Sequence, residues 1–567
     1  MKRWYCRLGI LIFCGLCSVP LFAQEKLITV LQQELDRNMK ILRSQEVPPY
    51  FLSYRVDDIQ ETAVGATFGV VSNSSHDHTR HLTIDMRVGS PELDNTHEVR
   101  DDYNSYFTRN ETAKLPVTDG DLSIRQIVWY ETDKFYRKAA DQFSKVKANI
   151  AVKVKEEDKS IDFSHNDPEK YYESPLSLSK TKINMKEWET KLKKYSALFL
   201  NNKDIISGSV YFRFTVIRKY YISSEGTSVA HNFTQTTLYA SGMVQADDGM
   251  KLPLSISYFA YQPEDLPAEE TVMNDVRKLI EKLSQLKNAP IVDSYTGPAI
   301  LSADSAGVFF HEIFGHRTEG SRMKSENDAQ TFKKKVGQSV LPVELSVVFD
   351  PTIRTYNGQD LNGSYLFDDQ GVRGKRVNVI QDGVLKDFLM SRNPIENFPR
   401  SNGHGRAYPG YQPVSRQSNL IVETKKPYTA AELKEQLREE LKKQNKEYGF
   451  MFAAVTGGFT MTGRYMPNAF NVTPTEVYRV YADGRPDELV RGVDLVGTPL
   501  AMFSQIAAAG NNPKVFTGTC GAESGWVPVT AISPALLVKQ IEVQRKRKSQ
   551  DKPPLLQRPD LERSAQQ

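Results

Sequence analysis

Three observations in the sequence predict an α+β protein, with a mixed helix/strand N-terminal domain followed by a strand-rich, barrel- or sandwich-like C-terminal domain. Amphipathic helical runs bracket long stretches of period-two alternation in the first half of the chain. From about residue 291 glycine becomes frequent and short strands alternate with turns. No repeat recurs at a fixed period, which sets solenoids and propellers aside. The 567 residues suffice for several domains of roughly 150 residues, and 40% hydrophobic with 25% charged residues excludes global disorder.

The elements follow in order. Residues 27–43 place Leu27, Val30, Leu31, Leu35, Met39 and Leu42 at helical spacing. Residues 50–59 and 81–90 alternate as strands, with Leu82, Ile84, Met86 and Val88 on one face. A second helix is expected over 122–146, with Trp129, Phe135 and Tyr136 in its pattern. The heavily charged stretch 147–180 reads as a surface excursion or linker. A helix over 185–200, strands over 210–223 and 236–245, and an amphipathic helix over 268–287 follow. Further on, Asp382-Gly383 and Asp483-Gly484 have the composition of hairpin tips. Helices are expected over 429–448 and 498–509, and the glycines of 457–463 read as turn and bulge positions.

Residues 1–23 have the layout of a secretory signal peptide: Lys2, Arg3 and Arg7, then an apolar run from Leu8, then Pro20 and the small Ala23. An uncleaved anchor helix and lipoprotein processing at Cys14 or Cys17 are the alternatives. The expected division is 1–23 signal peptide, 24–290 N-terminal α+β domain, 291–544 C-terminal domain and 545–567 basic, disordered tail. The mature protein is then periplasmic or secreted, with no membrane span. Losing Lys2, Arg3 and Arg7 takes 73 basic residues to 70 against 69 acidic ones, so a net charge of +4 becomes +1. That balance makes no case for nucleic acid. Three of the four cysteines leave with the signal, and the remaining Cys520 has no intramolecular disulfide partner.

The sharpest motif is His311-Glu312-Ile313-Phe314-Gly315-His316. Ser302, Asp304 or Ser305 is placed to cap a helix here, and Val308, Phe309, Ile313 and Phe314 to bury one side of it. Two histidines flanking a glutamate on a helix follow the logic of zinc hydrolases, with imidazoles on the metal and the carboxylate handling the water proton. Here, however, the histidines are at i and i+5, roughly 140° apart on a straight helix. For both to hold one ion the helix must widen into a π-type turn or end near Gly315, where glycine makes a distortion cheap. The alternative is two separately hydrogen-bonded histidines. Cys520, in a Gly-flanked turn after a short strand, offers a soft thiolate that favours zinc. Two His and one Cys leave a fourth position for water. The alternative for Cys520 is a small buried hydrophobe.

These residues resemble the TldD/PmbA metalloprotease family. The likeness lies in HEIFGH with the preceding GPAILSADSAGVFF and the distant GTCG, and extends to DDQGVRGKRVNVIQDGVLKDFLMSRN and SNGHGRA, covering residues 290–535. The resemblance implies a Zn2+ ion bound by His311, His316 and Cys520, Glu312 as general base, and a homodimer or a heterodimer with a paralogue. It also implies a narrow cleft for unfolded or short peptides. A non-catalytic, peptide-binding or assembly subunit of such a dimer is the second hypothesis. His404, Arg406 and Tyr408 are candidates to stabilise an oxyanion, and Glu319 to orient a ligand or to be a surface carboxylate. His76, His78 and His81 could form a second metal site, although a solvated strand end explains them more simply.

Overall fold

The computed structural model describes residues 25–99, 112–118, 120–152, 158–464 and 470–546, with 554, 556 and 559 beyond them. The expected signal peptide and nearly all of the expected tail lie outside the described residues.

Among the described residues, the N-terminal half is a seven-stranded sheet with helices on one face. The long strands Pro49–Thr67, Val70–Val88, Ile205–Ser223 and Ser228–Gln245 pair antiparallel. Alternation decides what each face meets. Leu52, Tyr54, Val56, Leu82, Ile84 and Met86 lie under helices Lys26–Leu42 and Asp121–Val152. Further along, Val64, Phe212 and Phe214 lie under Met185–Ala197 and Glu269–Asn288. Each such side chain contributes about 1.5–3 kcal/mol by leaving water. Trp129, expected within the apolar pattern of its helix, is instead 43% exposed.

The opposite face of this sheet is polar, yet it too is covered, because the C-terminal half packs on it. Lys219 Nζ reaches Asp369 Oδ1 at 2.6 Å, Arg55 donates to Tyr408 O at 2.9 Å, and Gln412 donates to Ile84 O at 2.7 Å. The stretch expected to be a surface excursion is partly built into this seam. Phe163 is buried between the guanidinium groups of Arg87 and Arg392, at 3.7 and 3.9 Å from its ring. Asp162 pairs with Lys324 at 3.2 Å and with His97 at 2.9 Å. Charge density suggested exposure, but complementary charges on both halves satisfy it internally.

The C-terminal half combines a closed barrel with a second sheet. Tyr295–Leu301, Tyr448–Thr460, Phe470–Tyr481, Val493–Gly497 and Leu536–Arg545 pair in sequence, and the last returns to the first to close the ring. Beside it lies a six-stranded sheet whose edge is Lys514–Ala522. Helix Ala430–Lys443 starts on a capping box, Thr429 with Glu432, and stops short of the strand at Tyr448. The helix expected over 498–509 is reduced to Pro499–Phe503; Ile506–Gly510 is a strand paired with Leu536–Arg545. An alanine run favours helix locally, but extending the barrel sheet buries Ile506 and Ala509 in the core and overrides it. No helix among the described residues is long and apolar enough to cross a membrane.

Candidate metal centre

The motif helix, Ala303–Ile313, leaves the first barrel strand through Ser302, whose Oγ accepts from Ser305 N at 3.2 Å. It lies between barrel and sheet, buried on all sides: Phe309 meets Phe470 edge-on, and Phe310 and Phe314 pack on Phe503. The i, i+5 spacing is resolved by termination. Phe314 N still bonds Phe310 O at 3.0 Å, after which Arg317 N bonds Phe314 O at 2.9 Å and Thr318 N bonds Gly315 O at 3.0 Å. This tight 3-10 turn over Gly315–Arg317 swings His316 back toward His311, bringing the ring centroids to 5.0 Å. The carbonyls freed at the helix end are met by buried Arg317, which donates to Glu312 O at 2.9 Å and Ile313 O at 3.3 Å.

Gly315 is required for room rather than for backbone freedom. It does not adopt a left-handed φ. A Cβ there would fall 1.9 Å from Gln417 Oε1, while Gln417 Nε2 donates to His311 O at 3.3 Å.

Cys520 lies within the strand Lys514–Ala522, opposite Val527, and not in a turn; the reversal comes later, at residues 523–524. Its Sγ is 3.3 Å from His316 Nε2. The candidate ligand atoms of His311, His316 and Cys520 lie within 4.8 Å of one another, all buried. With zinc–nitrogen and zinc–sulfur bonds of about 2.0 and 2.3 Å, tetrahedral ligands stand roughly 3.6 Å apart. The donor set is one that suits zinc, and His316 Nε2 and Cys520 Sγ already stand close to that separation.

His316 Nδ1 lies 3.1 Å from Glu319 Oε2, so the hydrogen bond leaves Nε2 directed at Cys520. Burial opposes the charge on both His316 and Cys520, but their mutual attraction wins. His316 is pushed up to about 10, aided by Glu319. Cys520 falls well below the usual thiol range, held down by His316 and His311. Glu319 is fully buried, yet His316 and Arg322 hold its carboxyl below the ordinary range. Burial raises Glu312 above the usual carboxylate value, against the pull of His311 and His316. Its side chain lies against Gly458, where a Cβ would come within 2.7 Å of Glu312 Cγ.

Glu312 and the three ligands line a cleft of about 1190 Å³. Its walls are the ends of Tyr448–Thr460 and Lys514–Ala522, with Ser255, Ser257 and Tyr258 contributed by the N-terminal sheet. Arg322 ties the walls together at one end, donating to Thr462 Oγ1 at 2.9 Å and Glu523 Oε2 at 2.8 Å.

Three residues considered for an oxyanion do not line this cleft. His404 is wholly buried, with Nε2 3.0 Å from Ser418 Oγ. Arg406 donates to Gln417 O, and Tyr408 is 48% exposed elsewhere. The earlier histidines form no metal group among the described residues. His76 bonds Thr62, His78 bonds Asp58 at 2.6 Å, and His81 lies beside Thr79. Residues missed from the sequence are Arg317, Arg416, Gln417 and Gly458. The only hint was the unbroken polar run before the apolar Leu420-Ile421-Val422, which is unusual for a strand entry.

Two buried histidines give a pH dependence of stability. Burial lowers His404 to about 3, with Arg406 adding to the effect, and lowers His231 to about 4, with Lys219 adding. An unfolded histidine takes its proton near pH 6.5, so the unfolded chain binds more protons than the folded one below that pH. Stability from these groups is complete above about pH 6.5 and is lost as pH falls toward 4, by up to about 1.4 kcal/mol per pH unit for each. Denaturation midpoints measured from pH 7 to 4.5 should fall less steeply for His404→Gln than for wild type. Parallel slopes would remove His404 from this account.

Part of the chain is similar to known proteins. Residues 294–545 match the PmbA/TldA metallopeptidase C-terminal domain. A metalloprotease of Archaeoglobus fulgidus is 29% identical over 264 residues, 46% of this chain and 56% of that protein. A zinc metalloprotease TldD homolog of Saccharolobus solfataricus is 23% identical over 60% of this chain and 71% of its own length. The chain thus spans little more than half of the first of these relatives. The crystal structure of TldE from Thermococcus kodakarensis shares the fold, with a TM-score of 0.61 at 13% identity over 91% of this chain and 100% of that one. Through residues 294–545, the chain is similar to the C-terminal domain of the PmbA/TldD metallopeptidases.

Proposed function

We propose that the protein is a zinc-dependent metallopeptidase that hydrolyses peptide bonds in unfolded or short peptides. The observation that carries this reading is the convergence of three buried ligand atoms, two nitrogens and one sulfur, with Glu312 beside them in a single cleft. Names of relatives as metalloproteases support the class. A zinc ion held by His311, His316 and Cys520 would supply Lewis acidity toward water and a substrate carbonyl. Glu312 takes the water proton on its carboxylate and returns it to the leaving amine. A buried carboxyl with a raised pKa suits both halves of that task. Glu319 holds the His316 ring by its far nitrogen. Among the described residues Lys514–Ala522 is paired on one side only, so an extended backbone fits beside it better than a folded domain. Assembly as a homodimer or with a paralogue, and export through residues 1–23, belong to the same proposal.

Elemental analysis tests the centre. Purified protein should carry about one zinc per chain, a chelator should remove both metal and turnover, and His316→Ala and Cys520→Ala should fail to retain zinc. Zinc-free wild type, or full zinc in Cys520→Ala, would show the assignment to be wrong.

A further inference from the structure

Residues 415–419, Ser-Arg-Gln-Ser-Asn, are each no more than 1% exposed. Five consecutive buried polar side chains are tolerated only if each finds partners inside the protein. For two of them the partners belong to the metal centre. Gln417 donates to His311 O at 3.3 Å. Arg416 donates from Nη2 to Cys520 O at 2.7 Å, and from Nη1 to Ser524 Oγ at 2.8 Å and Gly525 O at 3.0 Å. Its Nε faces Glu319 Oε1 at 3.5 Å, and neither atom has a hydrogen-bond partner among the described residues. The other oxygen of Glu319 is on His316 Nδ1. One guanidinium therefore spans the two elements that carry His316 and Cys520.

We propose that Arg416 is a positioning residue for the metal centre, setting the distance between His316 and Cys520 so that an ion of zinc's size fits between them. This rests on the zinc reading above. Among the described residues, Cys520 lies on an edge strand, held by a neighbouring strand on one side only and three residues from the hairpin reversal. Such an edge is free to shift, whereas a metal site tolerates ligand displacements of only about 0.2 Å. The planar guanidinium removes that freedom, because its fork binds three acceptors on the hairpin in fixed geometry while its edge faces Glu319. Its charge also offsets the thiolate and the Glu319 carboxylate, which otherwise repel. A lysine keeps the charge but cannot reach hairpin and Glu319 together.

The test uses the full chain as wild type, Arg416→Lys and Arg416→Met. Zinc affinity is measured by competition with a chelator, and geometry by the absorption of the cobalt(II)-loaded protein. Arg416→Met should bind zinc about 10- to 100-fold more weakly. Its cobalt spectrum should lose intensity in the bands of a tetrahedral, sulfur-ligated ion, and Arg416→Lys should regain only part of both. Melting of the metal-free proteins separates misfolding from misplacement. If Arg416→Met does not fold, Arg416→Lys carries the test, with weakened affinity expected at a near wild-type metal-free Tm. Wild-type affinity and spectrum in Arg416→Lys and in folded Arg416→Met would overturn the proposal. Failure of the wild type itself to take up zinc or cobalt would overturn the zinc reading, and this inference with it.

Discussion

Glu312→Gln should keep about one zinc per chain and lose peptide hydrolysis by about 10²- to 10⁴-fold. The substitution preserves shape, which matters because this side chain lies against Gly458, where even an added Cβ would fall 2.7 Å from Glu312 Cγ. It removes only the capacity to accept a proton. The amide presents an N–H or a weak carbonyl acceptor where the carboxylate stood, so water is no longer deprotonated and the leaving amine no longer receives a proton. The ligand atoms of His311, His316 and Cys520 are untouched, and metal content is the control. Turnover of a quenched fluorescent peptide, read beside zinc by elemental analysis, decides the matter. Wild-type turnover would remove Glu312 from the chemistry, and loss of zinc would make it a structural part of the centre.

Gly315→Ala should destabilise the fold by about 1–3 kcal/mol, as overpacking does, and should also weaken zinc binding. The new methyl would overlap the Gln417 amide, with contacts of 1.9, 2.2 and 2.6 Å to its Oε1, Cδ and Nε2. Gln417 is 1% exposed, so its amide has no open space to retreat into. Moving it breaks the bond to His311 O and frees the end of the motif helix. The double variant Gly315→Ala/Gln417→Ala separates the two effects. Removing the amide should restore most of the stability but not the zinc affinity, because the support of His311 stays lost. Chemical denaturation and chelator competition on the two single variants and the double give the cycle. An unaltered Gly315→Ala protein would contradict the packing described.

Much of the N-terminal half was legible because its strands have a strict period of two and its helices a strong apolar face. Leu82, Ile84, Met86 and Val88 do share the buried face, and residues 26–42 form the expected helix. The failures have identifiable causes. The alanine-rich segment after Phe503 carries a local preference for helix that pairing in the barrel outweighs. The charged stretch holding Asp162 and Phe163 looked solvated, because its complementary charges, Lys324 and Arg392, come from far along the chain. The oxyanion candidates were chosen by residue type. His404 and Arg406 proved to be fully committed to partners away from the cleft.

By itself the sequence determined which donor residues the candidate centre draws on. Two histidines and a glutamate in six residues, with one cysteine left after the expected export signal, name a donor set that suits zinc. Their spacing contradicted a regular helix and so required a break, but it left open whether the helix widens or stops. Only the tertiary structure decided that it stops at Ile313 and that a 3-10 turn brings His316 round. It also decided why Gly315 is needed, through the Gln417 side chain pressed against it, and what holds Cys520 204 residues away in register. The physical reason is range: residue type and local periodicity are written along the chain. Ligand spacing, by contrast, is set by buried polar contacts between distant segments, each needing a partner that only the folded protein supplies.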